Sequence, residues 1–434
     1  MQKLYLLPII IDMAALDAFG RLRTSDCFTT FNYYPSPLSD NTNLDVDVWV
    51  SGQTGGTQTY NSENYINMPI TTGATNYSLR TTKQPMIYQP GKSRLIYMTG
   101  VLMTTTGSGT NSYMGLFSVD STIPPNITEG TYFRCDGTNL IWEDVTQSGT
   151  TPVLQSSWNI DTFNGSGPSG KTLTIANAAQ NLLIVLDQEW LGVGRIRCGF
   201  IIDGVIYYAH QFLHNGLTVQ YTKTPRIYLS YYIKGTVANA MRQMCSTSII
   251  EDGYFSTGRI NNVNIPVTNP TSFVAVGNNN NDIVLLGLRV QTGITDPTKN
   301  FPLSTFFLKN LSFYYFGTGG GSGKFAQFKI HMFSTNGSIG SLLPGTPTLT
   351  FTTLINSSIE YYIGDGTIYT SASNPGFIIG SGYLDTQTSF EFVSVVNDSL
   401  QTRNLFTKYD TLFVTGVANS AGTMGTSVTF IEDI

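Results

Sequence analysis

The sequence has few charged residues for its length. Of its 434 residues, only 12% are Asp, Glu, Lys or Arg, which is about half the share found in an average soluble domain. Long soluble helices need such residues on their exposed faces. Here Ser, Thr, Asn and Gly must cover the surface, and these residues disfavour helix interiors. The shortage of charge therefore argues against a largely helical protein and favours an all-β chain.

The sequence also lacks a basic excess and a long apolar run. Its net charge is −5, so it offers no cationic surface for the phosphates of DNA or RNA, and we expect no nucleic-acid partner. No apolar stretch is long enough to cross a bilayer, and we expect no membrane insertion. The apolar run at residues 4–11 contains Pro8 and is followed by Asp12, which is a poor match to a signal peptide.

Cysteine and histidine are both scarce. The four cysteines form no CxxC pair and are too few for a disulfide framework, so we expect buried free thiols at Cys27, Cys135, Cys198 and Cys245. His210 and His214 have metal-ligand spacing only on a helix, and His331 is remote in sequence. Because a zinc site needs further ligands, we expect neither a metal nor a cofactor.

Aromatic residues and glycine are abundant: the chain has 24 Tyr, 25 Phe and 43 Gly. Short runs of strand-forming residues recur between turn signals at the spacing typical of a β-sandwich. Residues 251–270 are rich in Gly, Asn and Pro without periodicity, which indicates a domain boundary. We therefore predict two tandem antiparallel β-sandwich domains, jelly-roll-like, at 25–253 and 254–434, preceded by an extended N-terminal arm at 1–24.

The clearest single element is a β-hairpin at residues 195–212. Two strand-like runs flank Asp203-Gly204, a dipeptide suited to the type I′ turn. Alternation places Cys198 on the buried face, with Arg195 and Arg197 on the opposite face. Residues 237–246 fit either two turns of helix or an alternating strand, and the pattern does not decide between them.

Residues 165–172 (GSGPSGKT) match the phosphate-binding loop motif through Gly165, Gly170, Lys171 and Thr172. A functional loop follows an apolar strand and opens a helix. Here the preceding residues make a poor core strand, and the following ones begin with β-branched alternation. We therefore expect a Gly-rich hairpin loop that binds no nucleotide.

Asp187 and Glu189 are the candidates for catalysis. Because they are two residues apart on an extended segment, their side chains share one face and their Cα atoms are about 6.6 Å apart. This separation is compatible with a glycosidase carboxylate pair. Trp190 beside them could stack on a sugar, but the three residues fit equally well the end of a strand that enters the turn at 192–194. Glu143 and Asp144, in contrast, are adjacent and would point to opposite faces. No Gly-X-Ser-X-Gly motif provides a serine nucleophile.

Several segments resemble a family of virion structural proteins encoded by tailed bacteriophages, many of them marine, and by some large DNA viruses. The matching segments are, in chain order, 18–25 (AFGRLRTS), 88–93 (YQPGKS), 98–100 (MTG), 189–194 (EWLGVG), 197–200 (RCGF), Asp203-Gly204, His210 and His214, 245–247 (CST) and 250–254 (IEDGY). The second half is similar to the family only in the general character of its sequence and in its closing segment 428–432 (VTFIE). In the family, residues 167–170 look like a shared structural turn.

The resemblance implies a non-enzymatic component of a virus particle, such as a capsid-associated, minor capsid, decoration, vertex or tail-attached protein. It carries over no catalytic residue. We expect a homo-oligomer, with a trimer favoured, that contacts other capsid or virion proteins and is assembled in the host cytoplasm. The first alternative is a receptor or glycan-binding adhesin of the virion, with loop Tyr and Trp residues stacked on host glycans. A less favoured alternative is a glycosidase that uses Asp187 and Glu189.

Overall fold

Antiparallel strands form nearly all the regular structure of the described chain, and the prediction of an all-β fold is confirmed. The described residues include two short 3-10 helices, Gln155–Ser157 and Ile175–Ala179, and no α-helix. None of these residues forms a helix of the length and apolar character that crossing a membrane requires. The chain divides into two compact units, Met1–Tyr254 and Phe255–Ile434.

The computed structural model describes part of each unit. In the first unit the described residues are 16–18, 27–35, 44–45, 48–83, 85–86, 88, 91–223, 225 and 227–251. In the second unit they are 259–264, 274–276, 282–290, 295–296, 301–302, 305–317, 324–333, 351–354, 359–364, 368–369, 377–385, 389–393 and 411–433. Most of the N-terminal arm predicted at 1–24 therefore lies outside the described residues.

The first unit contains fifteen described strands. They are β1 Cys27–Tyr33, β2 Trp49–Thr54, β3 Thr59–Asn61, β4 Tyr65–Ile70, β5 Tyr77–Thr82, β6 Arg94–Val101, β7 Thr110–Val119, β8 Ile127–Cys135, β9 Leu140–Thr146, β10 Gly149–Leu154, β11 Leu182–Gln188, β12 Ile196–Ile202, β13 Val205–Phe212, β14 Leu229–Gly235 and β15 Asn239–Glu251.

These strands form two sheets that pack face to face as a β-sandwich. One sheet has the order β13-β12-β11-β6-β15-β4-β3, with β1 also paired to β15, and the other has the order β10-β9-β8-β7-β14-β5-β2. The chain passes repeatedly from one sheet to the other, as in a jelly roll. A single hydrophobic cluster draws on both sheets and fills the space between them.

Five aromatic side chains form the centre of this core. Phe133 and Trp142 come from the β10-to-β2 sheet, and Phe200 comes from the opposite sheet. Trp158 and Phe163 enter from the segment that connects β10 to β11. The ring centre of Phe200 lies 5.1 Å from Phe133, 5.6 Å from Trp142, 5.9 Å from Trp158 and 5.3 Å from Phe163. The β10–β11 connection is therefore anchored in the core.

The hairpin predicted at 195–212 is confirmed as β12 and β13. Asp203 and Gly204 have φ values of 54° and 79°, the positive values that a type I′ turn requires at both central positions. Cys198 is fully buried, as alternation predicts. Of the ambiguous stretch at 237–246, residues 239–246 belong to strand β15, which pairs with β6 and β4 inside a sheet.

The second unit is also an antiparallel sandwich. Its described strands are β16 Arg259–Asn264, β17 Val274–Val276, β18 Asp282–Val290, β19 Thr295–Asp296, β20 Phe301–Pro302, β21 Thr305–Gly317, β22 Phe325–Phe333, β23 Thr352–Thr353, β24 Ile359–Ile363, β25 Ile368–Tyr369, β26 Phe377–Asp385, β27 Ser389–Val393, β28 Thr411–Ala418 and β29 Gly422–Asp433. A five-stranded sheet centred on β29 and β21 and a seven-stranded sheet centred on β18 and β28 share one hydrophobic core.

Gly130 provides a test of the packing in the β10-to-β2 sheet. It lies between Phe117 and Val145 with φ 125°, and a Cβ there would meet the Leu116 carbonyl oxygen at 2.2 Å. Gly149 has a similar φ of 134° but open space around its Cβ position. We expect Gly130→Ala to lower the free energy of unfolding by more than about 2 kcal/mol in urea denaturation, and Gly149→Ala by about 1 kcal/mol. Equal losses would contradict this packing.

Candidate functional site

The two acidic residues with glycosidase spacing are buried. Asp187 lies in β11 and Glu189 directly after it, and both side chains are fully excluded from solvent. The β11–β12 register places Asp187 opposite Arg197, whose Nε lies 3.1 Å from Oδ2 and whose Nη2 binds the same oxygen. Tyr208 donates its hydroxyl to this oxygen at 3.1 Å. Asp187 is thus held in a buried ion pair.

Arg197 of this ion pair and the nearby Arg195 also bind the segment that precedes the first strand. Arg197 donates to the carbonyl oxygen of Leu16, and Arg195 donates to that of Ala18. Asp17 and Ala18 are themselves buried. Because a glycosidase needs carboxyl groups that reach the sugar, this geometry supports a structural role for Asp187, which fixes residues 16–18 on the sandwich.

The segment that matches the phosphate-binding loop forms a hairpin loop. Asn164 pairs with Thr172 across its base, and the N–H of Gly165 donates to the carbonyl oxygen of Lys171 at 3.0 Å. Gly165 and Gly170 adopt positive φ values of 86° and 65°. The 3-10 helix Ile175–Ala179 follows in place of the α-helix whose N-terminus would bind phosphate.

The lysine of this loop is engaged within the protein. Lys171 Nζ lies 3.2 Å from the carboxylate of Asp203 in the β12–β13 turn and 5.7 Å from the centre of the Tyr207 ring. The Gly-rich loop is therefore attached to the tip of the predicted hairpin, and its cation does not point into an anion site.

The three histidines lie at separate places. His210 Nδ1 accepts a hydrogen bond from the N–H of Asn159 at 3.2 Å, and burial lowers the pKa of His210 to about 4. His331 Nε2 lies 3.0 Å from the Thr415 hydroxyl in the second unit. Within the described ranges, no group of three or more His, Cys, Asp or Glu side chains has the arrangement of a metal site.

His214 forms a buried pair with Asp144, although 70 residues separate them in the chain. Its Nε2 lies 2.8 Å from Asp144 Oδ2, and its Nδ1 contacts the Gly194 carbonyl oxygen. The ring of Tyr221 stacks on the imidazole at 3.9 Å, and Thr131 donates to Asp144 Oδ1 at 2.6 Å. Since both ring nitrogens face oxygen acceptors, neither is available as a general base for a substrate.

The adjacent acid Glu143 has different partners. It accepts hydrogen bonds from the Tyr132 hydroxyl at 2.6 Å and from Arg134 at 2.8 Å. Glu143 and Asp144 therefore belong to separate polar clusters and form no carboxylate pair, in agreement with their adjacent positions on a strand.

The expectation of four buried thiols is wrong for two cysteines. Cys135 and Cys198 are buried, and burial raises the pKa of both thiols, that of Cys135 to about 11. Cys27 and Cys245 are exposed. Cys27 begins strand β1, and Cys245 lies at an irregularity in the β15–β6 register, where alternation between the two faces is interrupted.

The tryptophans do not form the exposed loop surface that an adhesin with stacked sugars would use. Trp49, Trp142 and Trp158 are almost fully buried. Trp190 is half-buried and donates its indole N–H to the Thr222 hydroxyl at 2.7 Å. Three of the four tryptophans are therefore closed to a glycan.

Two adjoining loops at one end of the first sandwich expose aliphatic side chains. The N–H of Tyr221 donates to the Gly192 carbonyl oxygen at 2.9 Å, and His214 contacts Gly194, so residues 190–194 and 213–222 touch. Four side chains on these loops, each between 47% and 59% exposed, form what we call the aliphatic patch: Leu191, Val193, Leu213 and Val219. Neither loop contains Asp, Glu, Lys or Arg.

A groove of about 550 Å³ lies beside the Gly-rich loop. Its walls come from the start of β9, from the end of β10 with the first 3-10 helix, and from residues 162–175. In this fully described region every lining side chain is a hydroxyl, a carboxamide or an aliphatic group, and we call the site the neutral groove; its lining includes Asn139, Leu154, Gln155, Ser156, Thr162 and Thr172. Its volume is within the range of small-molecule sites.

No family model and no curated protein matches the chain. Similar solved structures include an endo-1,3-β-glucanase from Streptomyces sioyaensis, with 9% identity, 52% of this chain and 97% of that chain covered, and a TM-score of 0.34. A winged bean acidic lectin complexed with methyl-α-D-galactose has 8% identity, coverage of 52% and 100%, and a TM-score of 0.31. A CBM2 module of the evolved Dit of Lactobacillus casei BL23 phage J-1 has 10% identity, coverage of 53% and 99%, and a TM-score of 0.33. Such values do not transfer a ligand or an activity to this chain.

The buried ion pair leads to a stability prediction. We expect Asp187→Asn to lower the free energy of unfolding by about 3–5 kcal/mol, because it leaves the buried Arg197 guanidinium without its counter-charge. Asp203→Asn is the matched control: it removes the partner of Lys171 at a position where the Asp side chain is 82% exposed, and we expect little change. Urea denaturation at neutral pH measures both. A fully stable Asp187→Asn variant would contradict the structural role.

The low pKa of His210 predicts a loss of stability in mild acid. Between about pH 6.5 and pH 4, His210 binds a proton in the unfolded chain but not in the folded one. The free energy of unfolding therefore decreases by about 2–3 kcal/mol as the pH is lowered through this range. The His210→Gln variant lacks this contribution. In urea denaturation we expect the wild type to lose more stability than the variant between about pH 7 and about pH 4.5. Parallel pH dependences of the two proteins would show that folded His210 titrates normally.

Proposed function

We propose that this chain is a non-enzymatic structural component of a virus particle, which acts by self-association and by contacts with other virion proteins. The aliphatic patch is the observation that carries the proposal. It places four half-exposed Leu and Val side chains on two loops that touch each other, and exposed apolar patches mark protein interfaces. The segment 189–194, which resembles the virion family, provides two of the four.

The loops that carry the patch are suited to burial in an interface. They contain no Asp, Glu, Lys or Arg, so covering them requires no desolvation of an exposed charge. The contact of His214 with Gly194 and the hydrogen bond from the N–H of Tyr221 to the Gly192 carbonyl oxygen fix the two loops against each other. A surface ordered before association loses less conformational entropy when it binds. We take a second copy of the chain as the partner.

The polar groups of the first unit support a role without catalysis. Asp187 is bound to Arg197, both ring nitrogens of His214 face acceptors, and Lys171 binds Asp203. These groups hold parts of the sandwich together. The sequence resemblance to virion structural proteins carries over no catalytic residue, and the geometry supports the same reading.

Self-association through the aliphatic patch is testable by substitution. We expect the double variant Val193→Ser, Leu213→Ser to associate at least about tenfold more weakly, since each change removes apolar area from the interface. Sedimentation velocity over a concentration series measures the association. Val205→Ser is the matched control, because Val205 is 43% exposed and begins β13, directly after the turn at the opposite end of β12 and β13.

Two results would overturn the proposal. An unchanged oligomer in the double variant would remove the role of the patch, and a wild-type chain that is monomeric at all concentrations would remove self-association. The virion assignment is tested separately by mass analysis of purified particles, in which the chain must be present.

A further inference from the structure

The neutral groove has a wall whose backbone is held in place by two side chains of the protein, those of Gln155 and Asp161. The two N–H bonds of Gln155 Nε2 point at three carbonyl oxygens, those of Thr162 at 3.0 Å, Phe163 at 3.4 Å and Leu173 at 2.7 Å, so that one of them is shared. Asp161 accepts hydrogen bonds from the N–H groups of Phe163 and Ser169, both at 2.8 Å. The wall formed by residues 162–173 is therefore ordered before any ligand arrives, which favours tight binding.

Backbone strain occurs at the same wall. Phe163 has φ 52°, a left-handed conformation that is unfavourable for a bulky residue and costs about 1–3 kcal/mol. Its ring is fully buried in the aromatic core, while its neighbours Thr162 and Asn164 line the groove. Such strain is concentrated at functional sites, where it keeps neighbouring groups in a required position.

The groove presents hydrogen-bonding groups that the protein does not use. The groove is formed by the stretch 91–223, which is described without a gap. Within this stretch the hydroxyls of Ser156, Thr162 and Thr172 make no hydrogen bond to another residue. Each hydroxyl is both a donor and an acceptor. Leu154, which is 46% exposed, adds an apolar surface next to them.

The arrangement selects against charged ligands and against added peptide strands. An anionic ligand would find no cation, because Lys171 is bound to Asp203 and does not line the groove. A peptide that adds as a strand needs free backbone groups. Here the N–H of Leu173 already donates to Phe163, and the N–H of Gly165 donates to Lys171. The remaining groups are neutral hydroxyls beside an aliphatic face.

We propose that the neutral groove is a binding site for an uncharged carbohydrate. A pyranose ring has hydroxyl groups around its edge, which match the hydroxyls of Ser156, Thr162 and Thr172. Its C–H faces match the aliphatic surface at Leu154. The groove shares no residue with the aliphatic patch, so glycan binding and self-association are separate properties of the chain.

Glycan binding by the full-length chain tests this proposal. The probe is an array that contains neutral hexose oligosaccharides, sialylated and sulfated glycans, and random extended peptides, followed by calorimetry with the strongest binder. We expect binding to neutral oligosaccharides. Ser156→Trp fills the groove and should abolish binding. Thr162→Val keeps the side-chain volume, removes one hydroxyl, and should weaken binding about 3- to 10-fold.

The controls separate loss of the site from loss of the fold. Thr150→Val makes the same change at an exposed position of β10 outside the groove and should bind as the wild type does. Unchanged thermal melting and an unchanged oligomer in sedimentation show that Ser156→Trp folds and assembles. The proposal is overturned if no neutral glycan binds, if charged glycans or peptides bind in their place, or if Ser156→Trp retains the affinity.

Discussion

Aromatic packing between the two sheets of the first unit is the interaction on which that unit depends. Phe133 and Trp142 from one sheet meet Phe200 from the other, and Trp158 and Phe163 insert beside them from the β10–β11 connection. Edge-to-face and tilted ring contacts of this kind add to the apolar area that each ring buries. Because two of the five rings belong to the connection, the core that joins the sheets also determines where the groove wall lies.

Three charged pairs of the first unit, two of them buried, join parts of the sandwich to each other. Asp187 and Arg197 hold the segment before β1, Asp144 and His214 hold two loops, and Lys171 and Asp203 attach the Gly-rich loop to a hairpin. Each of these bridges joins segments that are distant along the chain or across a turn. What remains on the aliphatic patch and in the groove is uncharged, which suits both surfaces to contacts with neutral partners.

The sequence was most informative where the signal is local. Asp203-Gly204 identified its hairpin because only a few residues tolerate positive φ at both turn positions. Alternation placed Arg197 on the outer face of β12, and Asp187 and Glu189 on one face of their own segment. It could not reveal that Arg197 lies opposite Asp187, since register between strands depends on the turn and on the packing of both faces. His214 and Asp144 were each visible as candidates, but their contact depends on the positions of β9 and β13 in different sheets. No sequence motif predicted the groove, because ordinary Ser, Thr and Gln residues from three separate segments line it.

The position of the tryptophans has an optical consequence. All four lie in the first unit, and Trp49, Trp142 and Trp158 are almost completely shielded from water. Native fluorescence should therefore be blue-shifted and resistant to quenching by iodide. The second unit contains no tryptophan, so its unfolding should be silent in this signal and visible only through its tyrosines. Excitation at two wavelengths thus distinguishes the melting of one sandwich from that of the other in the intact chain.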